Sequence, residues 1–381
     1  MKTFTRTFPP GSNPNYGGIL QAWALQRVLE DLGHTSSVDS TRSSQPAVLK
    51  RIVVSAVRVG MERVLPSSLV PNRSVQGTVK RAANRELLSF APRKMNTKAL
   101  YRAPGRVKQR VLKGVDAVLV GSDQVWRASY VDVPSYLLDF LPDSSSVKRI
   151  AYAASFGVDD PAQFDDYLVA RTKSLAQKFD AISVREESAV ELCDQLWGVK
   201  AERVIDPTML LERAAYQDLY GGAEVDNSGA TVVSYVLDDA VEKRRAISEI
   251  ASALSATEVS LFPRTATSVK KFRSDPNEYM RPTVEKWLGN LSSASAVVTD
   301  SYHGMLLSIL FNRPFLVAVN QKRGATRFDT ILDMFGLHDR KLMSDGQDLD
   351  RIKAPIDWSA VNVKLADERR RGIDFLIRSL G

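Results

Sequence analysis

With 381 residues, 44% of them hydrophobic and 25% charged, and a formal charge of +8, the chain is composed like a globular protein and is longer than one hydrophobic core usually organises. A single cysteine, Cys193, excludes an internal disulfide and a cysteine-rich zinc site. No run reaches the ~18 apolar residues of a membrane-spanning helix and Met1–Pro10 has no apolar signal core, so a cytoplasmic protein of two domains is expected.

Taken in chain order, Asn13-Pro14-Asn15-Tyr16-Gly17-Gly18 reads as a turn ahead of a helix from Gly18 to Leu32. Leu20, Ala24, Val28, Leu29 and Leu32 form its apolar side and Gly33 stops it. Free N–H groups at that helix start, near Asn15 and Gly17, could receive an anion or part of an acceptor; a bare turn is the alternative. Residues 41–115 hold 17 Lys/Arg against Glu62 and Glu86, a local +15 within a chain of +8. Such asymmetry points to an anionic partner. Within this segment 47–66 alternates apolar residues (Leu49, Ile52, Val53, Ala56, Val57, Met61, Val64) with Lys50, Arg51, Arg58 and Arg63 at helical spacing. A helix of this kind can lie on an anionic membrane at the inner face of the cell; a solvated basic face is the competing account. Phe90 and Tyr101 are the only aromatics in 41–115, which argues against stacking on single-stranded nucleic acid.

Buried strands are expected at 115–120, 149–154 and 181–184, with a short one at 204–207 stopped by Pro207 and helices over 162–178 and 186–197 between them. A cluster of turn-formers at 220–229 marks a domain boundary. Beyond it strands at 231–236, 257–262, 296–299 and 314–319 alternate with helices at 239–255, 283–292 and 304–312. The expected architecture is α/β, with two doubly wound Rossmann-like domains: 1–220, carrying the basic insertion at about 41–115, and 230–355. The terminal helix, 359–381, is free to pack back on the first.

Three histidines occur, His34, His303 and His338, and only His303 sits at a strand-to-helix switch, in Thr299-Asp300-Ser301-Tyr302-His303-Gly304. Ligands bind at that edge of open α/β sheets, and imidazole titrates near neutral pH. Gly121-Ser122-Asp123-Gln124-Val125-Trp126 follows another strand, where Ser122 and Gln124 could meet a ligand and Asp123 could hold a substrate hydroxyl or orient a histidine; a helix cap with a buried tryptophan is the alternative. Arg185 ends the strand 181–184, and Arg323 and Arg327 lie in the loop after 314–319. Arginine's paired donors suit phosphate and carboxylate, with surface pairing of Arg185 and Glu186 or an exposed basic loop as plain alternatives. Asp206 is assigned to a turn. No dinucleotide fingerprint, phosphate-binding loop or His-Glu-x-x-His pair is present.

These motifs together resemble the polysaccharide pyruvyl transferase family: the Asn15–Leu25 helix start, Gly-Ser-Asp-Gln-Val-Trp at 121–126 and Tyr-Ala-Ala-Ser-Phe-Gly at 152–157. Val-Arg-Glu (184–186), Asp-Pro-Thr (206–208) and Thr-Asp-Ser-x-His-Gly (299–304) follow in order, then Arg327–Leu332 and Gly336–Arg340. The resemblance implies a fold similar to the GT-B glycosyltransferases. It also implies transfer of a pyruvyl group from phosphoenolpyruvate to hydroxyls of a cell-surface or exopolysaccharide sugar, which could be lipid-linked. On that reading His303 is the acid–base group, in an arginine-lined gap between two lobes, assisted by Asp300 or Asp123. Arg185, Arg327, Arg323 and Ser301 would bind phosphoenolpyruvate, and no metal or cofactor is needed. The alternatives are a sugar-nucleotide glycosyltransferase of the same architecture and a non-catalytic binder of anionic membrane or nucleic acid.

Overall fold

Strands rich in buried residues on alternate sides build two parallel sheets, each covered on both faces. The computed structural model describes residues 1–41, 73–103, 106–222, 229–238, 240–263, 269–319, 324–343 and 345–381. The basic stretch 47–66 and Arg323 lie outside the described residues.

The first lobe runs β1 (Lys2–Arg6), α1 (Tyr16–Asp31), β2 (Thr35–Asp39), α2 (Arg73–Ala83), α3 (Arg85–Lys94) and β3 (Thr97–Lys98). A small hairpin of β4 (Tyr101–Ala103) and β5 (Arg106–Val107) follows, then β6 (Ala117–Val120), β7 (Lys148–Ala154) and α4 (Asp166–Ala176). β8 (Ala181–Val184), α5 (Glu187–Trp197), β9 (Glu202–Arg203) and α6 (Arg213–Tyr220) complete it. The strand order is β3-β2-β1-β6-β7-β8-β9, all parallel. Along β6, Ala117 and Leu119 join one apolar cluster while Val118 and Val120 join another, which is the period-2 pattern of a doubly covered sheet. Chain winding reverses between β1 and β6, so their carboxyl ends leave a crevice.

The second lobe contains β10 (Thr231–Tyr235), α7 (Val241–Ala253), β11 (Thr257–Ser260), α8 (Val284–Ser293), β12 (Ala296–Thr299), α9 (Tyr302–Leu310), β13 (Phe315–Val317) and α10 (Thr326–Phe335). Its order is β11-β10-β12-β13, again parallel, with the reversal between β10 and β12. The last helix, α11 (Trp358–Leu380), returns to the first lobe. There Gly372 lies so close to Tyr152 that a Cβ would sit 2.5 Å from its hydroxyl, and Arg203 pairs with Glu368 at 3.0 Å.

Three elements differ from expectation. β1 was not anticipated: Thr3 and Thr5 flank Phe4 and all three are fully buried, so a central strand carries two threonines, whose β-branching suits it. The expected strand at 204–207 is replaced by β9 at Glu202–Arg203 and a 3-10 turn at Pro207–Met209, because the Asp206 side chain captures the Thr208 N–H at 3.0 Å. Residues 73–98 are integral to the first lobe, since β3 pairs with β2 and Leu87 and Phe90 are fully buried.

Candidate active site

The two crevices face one another, and local chemistry at each strand end delivers a polar group to the junction. On the first lobe, Gln21 of α1 ties the switch point together: its Nε2 donates to Thr7 Oγ1 at 2.8 Å and its Oε1 accepts from the Ser122 N–H at 2.9 Å. The chain turns at Gly121, whose φ of 111° and contact with the Tyr152 carbonyl exclude a side chain. Asp123 follows at φ 76°, a left-handed conformation that is costly for a residue with a Cβ and is characteristic of functional turns.

Arg185, at the end of β8, is the hub. Its Nη1 donates to Asp206 at 2.8 Å, its Nη2 to Asp123 at 3.1 Å and its Nε to Glu186 at 3.4 Å, and only 1% of the residue is exposed. Burial works against its charge, but Asp123, Glu186 and Asp206 outweigh that and raise its pKa. Asp206 spends Oδ1 on Thr208 and receives Arg185 on Oδ2, within 3.1 Å of Ser122 Oγ. Burial opposes its ionisation; His303, Arg185 and the Thr208 N–H nevertheless hold it well below the usual carboxylate range. His303 comes from the second lobe, in the first turn of α9, with Nε2 3.6 Å from Asp206 Oδ2. The other side of the ring rests on α1: a Cβ at Gly17 would fall 2.1 Å from His303 Nδ1.

Four buried polar atoms around this hub have no hydrogen-bond partner among the described residues: His303 Nε2, Tyr302 Oη, Glu186 Oε2 and Arg327 Nε. Tyr302 is sandwiched by guanidinium groups, with Arg185 4.5 Å and Arg327 5.6 Å from its ring centre. Arg327, in the first turn of α10, has ring contacts but no ion pair among the described residues. Burial, followed by the charge of Arg185, pushes its guanidinium down to about 10. Beside it Phe156, Gly157, Glu186, Gly324 and Arg327 line a crevice of about 10 Å³, room for roughly one water. Gly324 closes it: its φ is 86° and a Cβ there would lie 1.9 Å from the Gly157 carbonyl of the first lobe.

Several expected roles change. Asp300 does not face His303. Its carboxylate takes the Leu237 and Asp238 N–H groups at 2.7 and 3.2 Å and Lys243 at 2.8 Å, pinning the end of β10. Asp123 likewise points at Arg185 and the Gln124 N–H rather than at His303. The carboxylate that meets the imidazole is Asp206, whose turn-forming oxygen hid the second one. Arg185 is no surface pair: each of its three nitrogens already donates to a buried carboxylate, so holding those acids together is its first task. Ser301 caps α9 through the Gly304 N–H, and Asn15 caps α1 through the Gly18 N–H, both at 3.4 Å. Gln124 receives Arg127 at 2.9 Å under Gly157. His303, Gly17, Ser122, Asp123, Arg185 and Arg327 do converge. Tyr302 and Glu186 were not singled out as site residues, because an aromatic beside a histidine and an acid beside an arginine carry no distinctive spacing.

Fold and site define a two-lobed α/β protein with a charged, titratable junction between parallel sheets. A model of the polysaccharide pyruvyl transferase family matches residues 15–322, and the chain belongs to that family; it is a transferase. The family implies a polysaccharide acceptor. No curated protein matches the chain at a significant level. Among solved structures it is similar to the glycotransferase of kitacinnamycin, at 14% identity and TM-score 0.43, covering 100% of this chain and 99% of that one. A UDP-glucosyltransferase from Polygonum tinctorium has 11% identity and TM-score 0.46, covering 100% and 98%. The UDP-GlcNAc 2-epimerase from Neisseria meningitidis has 11% identity and TM-score 0.44, covering 99% and 100%. Among the described residues no helix is long and apolar enough to cross a membrane, and no group of three His, Cys, Asp or Glu is placed to hold a metal ion.

Proposed function

We propose that the chain transfers the pyruvyl group of phosphoenolpyruvate to two hydroxyls of one sugar in a cell-surface or exopolysaccharide acceptor, forming a cyclic ketal and releasing phosphate. The carrying observation is the half-buried Arg327 guanidinium, which has no ion pair among the described residues and lies over the Tyr302 ring, whose Oη has no hydrogen-bond partner among them, next to the His303 that faces Asp206. A buried cation left uncompensated is costly, and a small polyanion would neutralise it. The Arg185 hub keeps Asp123, Asp206 and Glu186 from repelling that anion, and Asp206 Oδ2 faces the His303 ring at 3.6 Å.

Proton transfer from the His303 imidazolium to the methylene carbon makes a methyl group and leaves an oxocarbenium-like centre at the adjacent carbon. A sugar hydroxyl adds there and returns a proton to His303. The second hydroxyl then forms the other C–O bond as the C–O bond to phosphate breaks, its proton leaving with the phosphate. Because the crevice holds roughly one water, donor entry requires the Gly157–Gly324 contact to part. The reading is tested with His303→Gln, which fills the ring's space without a titrating group. Phosphate release from phosphoenolpyruvate and a glycan acceptor should fall ~10²–10⁴-fold. Full activity in a folded variant would reject the assignment. Release that depends instead on a sugar nucleotide would favour glycosyl transfer.

Peripheral contact with an anionic membrane, which would bring a lipid-linked acceptor to the enzyme, is a further part of this reading. It is supported by α2, with exposed Lys80 and Arg81, packing against the helix Val269–Ser274, which exposes Lys270 and Arg273. Co-sedimentation with vesicles containing phosphatidylserine, absent with neutral vesicles, is the expected result.

A further inference from the structure

The transfer steps leave Glu186 without a role, although of the three carboxyl groups around Arg185 it is the one that lines the crevice beside Arg327. It sits just ahead of α5 and is 3% exposed. Its two oxygens have different surroundings. Oε1 accepts from Ser155 Oγ at 2.5 Å and from Arg185 Nε at 3.4 Å. Oε2 is buried and has no hydrogen-bond partner among the described residues. Glu186 is also the most loosely compensated of the three, since Asp206 and Asp123 take the Arg185 Nη groups at 2.8 and 3.1 Å.

Burial raises the Glu186 pKa above the ordinary carboxylate value, and the Arg185 guanidinium, the Ser155 hydroxyl and the Arg327 guanidinium offset that only in part. The neighbouring Tyr302 hydroxyl and Cys193 thiol are held neutral by burial and add no charge. An ionised Oε2 would be a buried anion without a donor, beside the polyanion that Arg327 attracts. A protonated Oε2 is instead a donor in the crevice wall, and phosphate oxygens are acceptors.

We propose that Glu186 is the acid that protonates the departing phosphate. Its Oε2–H donates to the phosphate of bound phosphoenolpyruvate while Arg327 balances the charge. When the C–O bond to phosphate breaks, its electron pair stays on the bridging oxygen, which takes the Glu186 proton and leaves as hydrogen phosphate. The second sugar hydroxyl bonds to the vacated carbon and gives its proton to the Glu186 carboxylate, which restores the acid. His303 serves the methylene carbon and the first hydroxyl, Glu186 the phosphate and the second, so each group ends the cycle as it began. This role rests on the pyruvyl-transfer reading.

Sulfate, which keeps two negative charges wherever carboxyl and imidazole groups titrate, tests the contact without an acceptor. Calorimetric titration of the full chain should show sulfate binding that weakens about 10-fold as pH rises through the Glu186 titration, because the donor becomes a like charge. His303→Gln should keep this dependence and Glu186→Gln should lose it, its amide donating at every pH. No sulfate binding, no dependence, or a dependence that persists in Glu186→Gln overturns the proposal. Turnover tests the proton. With phosphoenolpyruvate and a panel of methyl hexosides, Glu186→Gln should lower kcat ~10²-fold with KM for phosphoenolpyruvate within about 3-fold of wild type, and Glu186→Asp should recover part of that loss. Melting temperatures check both variants; should Glu186→Gln unfold, a sulfate dependence unmoved in Glu186→Asp overturns the proposal. Wild-type kcat in folded Glu186→Gln, or a loss carried by KM, overturns the proton transfer while pyruvyl transfer stands. If the wild type releases no phosphate with any hexoside, the pyruvyl reading itself fails and the proton step with it, whatever sulfate shows.

Discussion

Arg327 and Arg185 are both guanidinium groups at one junction, and their surroundings assign them opposite tasks. Arg185 balances three carboxylates, so Arg185→Ala leaves Asp123, Asp206 and Glu186 crowded together without a counter-charge. Chemical denaturation should show a loss of about 3–5 kcal/mol, the cost of breaking a buried pair from one side. A loss below 1 kcal/mol would mean the hub is not a structural element. Arg327 has no ion pair to lose among the described residues. Arg327→Met, which keeps the packing on Tyr302 and Phe328, should leave the melting temperature equal or higher while donor affinity falls at least ~10-fold. Should affinity persist, the anion binds elsewhere. Together the two variants separate a residue that holds the site together from one that is open to a ligand.

At the scale of elements, α1 and α9 carry the site. Ser301 caps α9 and Asn15 caps α1, and these caps aim the two helix starts at each other. Gly17 lets them meet, since any Cβ there would enter the imidazole. Gly17→Ala is therefore expected to fold, because alanine suits a helix, yet to displace His303 and lower kcat by ~10²-fold or more with little change in far-ultraviolet circular dichroism. Wild-type kcat in this variant would show that the ring position is not critical. Gly304 is constrained in the same way by Thr299, whose Oγ1 a Cβ would meet at 2.4 Å and which donates to the Tyr235 carbonyl. Strand end, turn and helix start thus act as one unit, and its spelling in the sequence, Thr-Asp-Ser-Tyr-His-Gly, reflects that packing.

Across the whole molecule, contact between the lobes is of two kinds. Deep in the interface Tyr16 stacks on Trp287 with ring centres 4.8 Å apart and meets Tyr235 edge-on, part of an apolar cluster that runs through both lobes. At the crevice the contact is thinner: Gly157 against Gly324, and Thr326 Oγ1 donating to Asp159 at 2.9 Å. On that asymmetry the aromatic side is expected to act as the pivot and the glycine side to open. Gly324→Ala puts a Cβ in the Gly157 carbonyl at an unfavourable φ. Amide hydrogen exchange should quicken in 155–158 and 326–335 while 284–293 keeps its protection. Uniform acceleration throughout would place the weak point elsewhere.

Short-range pattern was enough for everything that local chemistry can encode. Alternating buried strands and helices, the restart of that alternation after 220–229, and the strand-turn-helix placement of His303 are all written in short-range periodicity and turn chemistry. The family motifs follow from the same local geometry. It did not reveal β1, because Lys2-Thr3-Phe4-Thr5-Arg6 reads as polar until its neighbours bury it. Which charges meet depended on how the two sheets pack. Asp300 lies three residues from His303 yet faces the end of β10 and Lys243, whereas Asp206, almost a hundred residues away, faces the imidazole. Neighbours in sequence point wherever strand and helix direct their Cα–Cβ bonds. Pairing across 60 to 100 residues is set by how two sheets approach, which no local spacing records.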